Sequence, residues 1–379
     1  MEKPNGAINL SPRLSVYFDI LRILAALLVM ISHYPLTLGM FGTLSRTNIA
    51  YDAVIVFFVL SGYVISYAAE TLEGSLRRYT VNRVARILPV AVVAVGLSAL
   101  LLFFVGAGRP DLYGPVPDYA DWPAIALRSI TFTNQIWQSN ITPFGNGPYW
   151  SLSFEVWCYV FYGIFVFTKG HYRWVALLVL AAVLGPKYVI MLPEWLAGSL
   201  AYHLRHRLRL SRKLSVTSAA MPVVAYLAIQ IPMPRDWSYA YIGSKVEAVL
   251  GFGLDGAANF GWGYLLALLF SVHVFAVGQL CAHGKLNSNS RAVRLIRFLS
   301  GYTFSLYIVH DPIIVFVMAV LGTDGGNYTI SFRLFVYAVV FVSVYVIGNL
   351  VEHKKHLFRS GVSAVFDVFS QAGQRFTKV

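Results

Sequence analysis

The stretch FDILRILAALLVMISH, residues 18–33, sets Asp19, Arg22 and His33 inside an otherwise apolar run. A charged side chain at bilayer depth costs at least about 2.5 kcal/mol, so it persists where it meets a partner or lines a wet cavity. The run therefore reads as a membrane helix with work to do. Composition points the same way: 57% of the 379 residues are hydrophobic, 12% are charged, and the mean hydropathy is +0.63. A soluble domain averages about 25% charged residues. The expected fold is all-α, a polytopic transmembrane bundle.

Crossing about 30 Å of hydrocarbon takes about 20 helical residues. Apolar segments of suitable length fall at 17–38, 50–69, 87–106, 148–168, 173–187, 188–204, 215–232, 260–281, 299–321 and 329–351, which makes about ten helices. The fifth and sixth are separated only by LGPK at 184–187, room for a tight turn. With the N-terminus inside, 22 of the 30 Lys and Arg residues fall on the cytoplasmic side and 7 outside, with Arg22 within the first helix. The excess of inner positive charge predicts that both termini are cytoplasmic. The chain then divides into a cytoplasmic segment 1–16, a transmembrane domain 17–352 and a cytoplasmic tail 353–379. In the tail, Phe358, Val362, Val365, Phe366 and Phe369 recur at helical spacing beside basic residues, as in a helix lying on a membrane surface among lipids.

The net charge of +13 is dispersed between apolar runs, so it reflects topology and predicts no nucleic-acid partner. Cys158 and Cys281, the only two cysteines, lie within apolar runs and predict no disulfide framework. The polar start and the charged first run predict no removable signal peptide. The long external loop 107–147, rich in Pro, Gly, Asp and aromatic residues, suits a folded cover over an outward-facing opening.

Helical geometry organises the polar groups. Arg22 and His33, eleven residues apart, share a face to within about 20° and are separated by about 16 Å along the axis. Asp19 can pair with Arg22 at i−3. His33 then lies in the outer half of the bilayer, where an imidazole facing polar groups is a general-base candidate, the alternative being a neutral histidine bonded to a backbone carbonyl. Ser61 and Gly62, near mid-membrane in the second helix, permit close helix or ligand approach. Arg83 and Arg86, spaced i, i+3 at the inner mouth of the third helix, suit a grip on phosphate or carboxylate, although the inner-positive bias also explains them. In the fourth helix Glu155 lies about 10 Å inside the outer surface, with Ser151 one turn earlier on the same face. That carboxylate is expected at the depth of His33, orienting it or sharing in proton transfer. His310 follows Tyr307 by one turn in the ninth helix, and Pro312 can widen the space around it. His33, Glu155 and His310 are metal-capable by type, but they come from three helices without ligand spacing, so no metal is expected.

Five motifs carry a resemblance: Arg22 to His33, FFVLSG at 57–62, RVAR at 83–86 followed by Pro89, WSLSFE at 150–155 with Ser151 and Ser153, and FSLYIVH at 304–310. In this order they resemble the acyltransferase-3 family of integral-membrane acyltransferases. The resemblance implies acetyl transfer from cytoplasmic acetyl-CoA to a hydroxyl of a cell-surface glycan, free or lipid-linked, at the bacterial cytoplasmic membrane. It implies His33 as the catalytic histidine, Arg22 as its companion, Glu155 as an assistant, and Arg83 and Arg86 as binders of the CoA phosphates. Tyr307 and His310 match the late motif without a defined role. The residues alone leave a second class open, a proton-coupled transporter or flippase of a lipid-linked sugar, which would also place His, Glu and Arg inside the membrane.

Overall fold

The computed structural model describes residues 10–33, 49–109, 112, 116–229, 234–282, 286–321 and 329–364, and among them all regular structure is helical. Ten long helices build the bundle: α1 (Pro12–Ser32), α2 (Ile49–Tyr67), α3 (Leu76–Val105), α4 (Tyr149–Phe167), α5 (Gly170–Leu184), α6 (Pro186–Arg207), α7 (Arg212–Ile229), α8 (Phe260–Cys281), α9 (Thr303–Leu321) and α10 (Ile330–Ile347). Each overlaps one of the ten expected segments. Seven of the described helices, α1 to α4 and α8 to α10, are long and apolar enough to cross a membrane. The other three fall short for legible reasons. α5 has 15 residues, about 22 Å of helix, whereas α6 carries Lys187, Glu194 and Arg205, and α7 opens on Arg212 and Lys213.

Several boundaries depart from the hydropathy reading. α3 starts at Leu76 rather than near 87, because Ser75 caps it by accepting the Arg78 amide at 3.3 Å, so the basic stretch before Pro89 is helical too. α2 runs on through a π-helical turn, Ala68–Glu73, and stops at Gly74, whose φ of 63° suits glycine. The break between α5 and α6 falls at Gly185, at φ 88°, with Pro186 opening α6. The segment before α9 forms a separate helix, Arg291–Ser300, with Leu295, Phe298 and Leu299 exposed beside its arginines. Of the expected tail helix, Phe358 and Val362 lie in helix, while Val365, Phe366 and Phe369 lie outside the described residues.

α2 occupies the centre, packed against α1, α6 and α8. Tyr51 meets Glu194 and Ser66 meets Ser199, while Asp52 accepts the Trp262 indole and Tyr63 lies beside Gly278, so α2, α6 and α8 run side by side in one direction. Small residues make this approach possible: a Cβ on Gly198 would lie 1.8 Å from the Val59 carbonyl oxygen, and one on Gly62 2.0 Å from that of Trp195. The loop before α4 is folded rather than slack. Its Phe132 carbonyl accepts the Trp157 indole at 2.8 Å and the Tyr188 hydroxyl at 3.1 Å, contacts that hold Phe132 at φ 58°. At the end of that loop, Asn146 donates to the Ile308 carbonyl at 2.9 Å and the Gly147 amide to Asp311 at 2.8 Å. The start of α4 is thereby level with the middle of α9.

The glycine contact sets a test. Gly198→Ala lowers the unfolding midpoint of detergent-solubilised protein, since overpacking costs about 1–3 kcal/mol, whereas Gly96→Ala, with no heavy atom within 4 Å of the added methyl, does not lower it. An unaltered midpoint for Gly198→Ala refutes the close approach of α2 and α6.

Candidate active site

Helices α1, α2, α3, α4 and α9 enclose a polar cavity of about 70 Å³ lined by Arg22, Ser61, Arg86, Glu155, Tyr159 and Tyr307 among apolar neighbours. Two guanidinium groups thus face one small space. Asp19 stands 3.6 Å from Arg22 and also accepts from Arg297 of the helix Arg291–Ser300, so the expected i, i+3 pair exists and continues to a third charge. Glu155 accepts the Tyr159 hydroxyl at 2.5 Å, Tyr159 meets Ser61 at 3.0 Å, and the Trp195 indole donates to Ser61 at 3.2 Å. This chain of bonds holds the carboxylate at one wall of the cavity, opposite charges that favour an anion.

Arg83 and Arg86 part company. Arg83 donates to Glu73 at 2.7 Å and lies over the rings of Tyr79 and Tyr159, 5.1 and 5.9 Å from their centroids. Arg86 alone of the two lines the cavity, because three residues of helix turn it about 60° away from Arg83.

His33 closes α1 and meets His310, the rings set edge to face with centroids 5.0 Å apart and His33 Nδ1 3.4 Å from His310 Nε2. His33 Nδ1 lies 2.7 Å from the Val29 carbonyl and His310 Nδ1 2.9 Å from that of Leu306, so in each neutral ring the proton belongs on Nδ1. His310 Nε2 is then an acceptor facing His33, and His33 Nε2 carries the free lone pair. His310 is fully buried. One turn inward, Tyr307 joins the pair to the cavity: its hydroxyl meets Ser151 at 2.5 Å and its ring centroid lies 6.5 Å from that of His310.

Glu155 does not share the depth of His33. With the start of α4 anchored level with Ile308 and Asp311, the seven residues from Pro148 to Glu155 carry the carboxylate about 10 Å further in. The described side chain within hydrogen-bond reach of His33 is therefore His310, with the buried Asp311 carboxylate of the same helix close enough to act on it electrostatically, and Glu155 belongs with Arg22 and Arg86. Ser153 points elsewhere, donating to Asn134 at 2.5 Å and tying α4 to the loop before it. Hydropathy alone passed over Asp52, Glu194 and Lys187. Glu194 is fully buried with Tyr51 at 3.4 Å, and buried Lys187 meets Asp255 at 2.5 Å. The reasoning applied to Glu155, that a carboxylate within an apolar run needs a partner, applies equally to Asp52 and Glu194.

Comparison with known proteins places this geometry. The chain is 27% identical over 362 residues to an O-acetyl transferase of Shigella phage Sf6, a match covering 92% of this chain and 98% of that protein. No solved structure matches it. The acyltransferase domain of the acyltransferase-3 family matches residues 15–348, a span holding the cavity, both histidines and nine of the ten helices entire. With that match, the transporter alternative gives way: the chain belongs to the acyltransferase-3 family and is an acyltransferase.

Proposed function

We propose that this acyltransferase crosses the bacterial cytoplasmic membrane ten times with both termini inside, and moves an acetyl group from cytoplasmic acetyl-CoA to a hydroxyl of a cell-surface or exported glycan. The observation that carries this reading is the single cavity where Arg22 and Arg86 converge on Glu155, continued through Tyr307 to the His33–His310 pair. The O-acetyl transferase activity named for the phage relative supports an O-linked acetyl product. An anion-binding end and a proton-accepting end, joined through the bundle, suit a donor with phosphates at one face and an acceptor entering at the other.

In this reading Arg22 and Arg86 bind CoA phosphate, and the pantetheine arm extends past the Ser151–Tyr307 bridge. Arg83, engaged by Glu73, contributes less. His33 Nε2 takes the proton of the acceptor hydroxyl while that oxygen bonds to the thioester carbonyl carbon. The carbon–sulfur bond then breaks, and the departing thiolate receives the proton from the imidazolium. His310 acts as a positioning residue: its Nε2 and the Val29 carbonyl both accept from His33 Nδ1, which fixes the tautomer and leaves Nε2 free to take the proton. The orienting part of the role that a partner plays beside a catalytic histidine falls to this ring, with the Asp311 carboxylate nearby.

Three outcomes follow. His33→Ala cuts acetyl transfer by about 10²–10⁴, the usual worth of a positioned general base, with membrane level and unfolding midpoint unaltered; retained activity removes His33 from catalysis. His310→Leu lowers kcat by at least about tenfold with the KM for acetyl-CoA unaltered, and His310→Gln, which keeps an acceptor oxygen, recovers part of the rate; equal loss in both variants refutes the acceptor role. Arg86→Ala raises the KM for acetyl-CoA by about tenfold or more, as loss of a charge-assisted contact predicts, and Arg83→Ala raises it less. The reverse order overturns the division of labour between the two arginines.

A further inference from the structure

A second cavity, of about 550 Å³, lies between α4, α5 and α6 on the far side of Trp195 from the reaction cavity. Its lining is apolar until His203 and Arg207 close one end. Phe165, Leu196 and Leu200 on its rim are 42%, 41% and 57% exposed, so the groove opens sideways. In a bundle that spans a membrane, sideways means into hydrocarbon. From Leu192 to Arg207 α6 advances about 22 Å, which carries the groove across about three-quarters of a core about 30 Å thick to one surface. Length, shape and apolarity together fit one lipid chain.

The polar end says what kind of lipid. Arg207 opens the run RLRLSRK at 207–213, in which Arg207, Arg209, Arg212 and Lys213 are all exposed. His203 is engaged with Glu70 at 2.7 Å, and Arg205 stacks on Tyr202 3.4 Å from its ring centroid. Arg207 is the arginine on the groove's lining, and the exposed Arg209, Arg212 and Lys213 follow it in the chain. A basic cluster beside a membrane helix attracts anionic headgroups, each cation contributing about 1 kcal/mol. The inner-positive bias accounts for such charges but not for an apolar groove ending on them.

The groove also touches the chemistry. Trp195 forms its inner wall, and the same indole donates to Ser61 at 3.2 Å, which leads through Tyr159 to Glu155. We propose that this groove binds one acyl chain of an anionic glycerophospholipid, with the phosphate on Arg207 and the basic turn after it, and that the bound lipid braces Trp195 against the wall of the reaction cavity. The proposal rests on the membrane-spanning reading above and is independent of the donor and acceptor assigned there.

The test uses the full chain purified in mild detergent and probed with phosphatidylglycerol and phosphatidylcholine by native mass spectrometry, alongside acetyl transfer in nanodiscs of either lipid. The expected result is retention of one phosphatidylglycerol, with Arg207→Glu weakening it by about tenfold or more and leaving phosphatidylcholine binding unaltered. Leu200→Trp, a substitution at an exposed rim position, fills the groove and releases the lipid while the protein still folds. Equal retention of both lipids, preference for a polyprenyl phosphate, or lipid retained by Leu200→Trp and Leu196→Trp alike overturns the proposal. Loss of lipid binding with normal transfer in both nanodiscs overturns only the brace on Trp195, and absence of transfer in every lipid counts against the acetyltransferase reading instead.

Discussion

A guanidinium cannot be left alone inside a lipid-facing bundle, and much of this structure follows from where Arg22 and Arg86 find company. Burying one partner of an ion pair without the other costs several kcal/mol. Arg22 therefore comes with Asp19, and Asp19 with Arg297, whose helix sits against α1 at the bundle's end. Arg86 shares a cavity with Glu155, whose carboxylate is held by Tyr159. These requirements bring α1, α3 and α4 to one axis and leave a small polar space between them. The cost of the charges is what makes the space specific.

The same constraint separates two kinds of buried polar group. Some are consumed by structure: Ser153 on Asn134, Arg83 on Glu73, Lys187 on Asp255, and Glu352 on the amide and hydroxyl of Ser305. Others keep capacity for a ligand. Arg22 and Arg86 face each other's charge across the cavity, an arrangement stabilised by an anion between them. His33 retains a lone pair because its other nitrogen is held by its own helix and by His310. Family membership names the reaction class, and the proposed roles fall on the groups that keep capacity for a ligand.

Packing sets the distances. The close approach of α2 and α6 through Gly62 and Gly198 puts Trp195 against Ser61, so a side chain on the wall of the second cavity is one hydrogen bond from the cavity lined by Arg22 and Arg86. The folded loop before α4 pins the start of that helix to α9 through Asn146 and Gly147. Depth inside the bundle is therefore decided by these anchors and not by counting residues from an apolar boundary.

The apolar runs and their spacing were enough to locate ten long helices among the described residues, seven of them long and apolar enough to cross a membrane, because burial in hydrocarbon demands length and apolarity residue by residue. Helical period alone put Asp19 beside Arg22, and Arg22 on the face of His33. Period could not say that His33 meets His310, that Glu155 sits about 10 Å deeper with the arginines, or that only one of Arg83 and Arg86 reaches the cavity. Those facts depend on how helices distant in the chain are shifted along one another and rotated about their axes. Such shifts and rotations are set by glycine contacts, capping bonds and loop anchors between segments, and a pattern read along one segment carries no record of them.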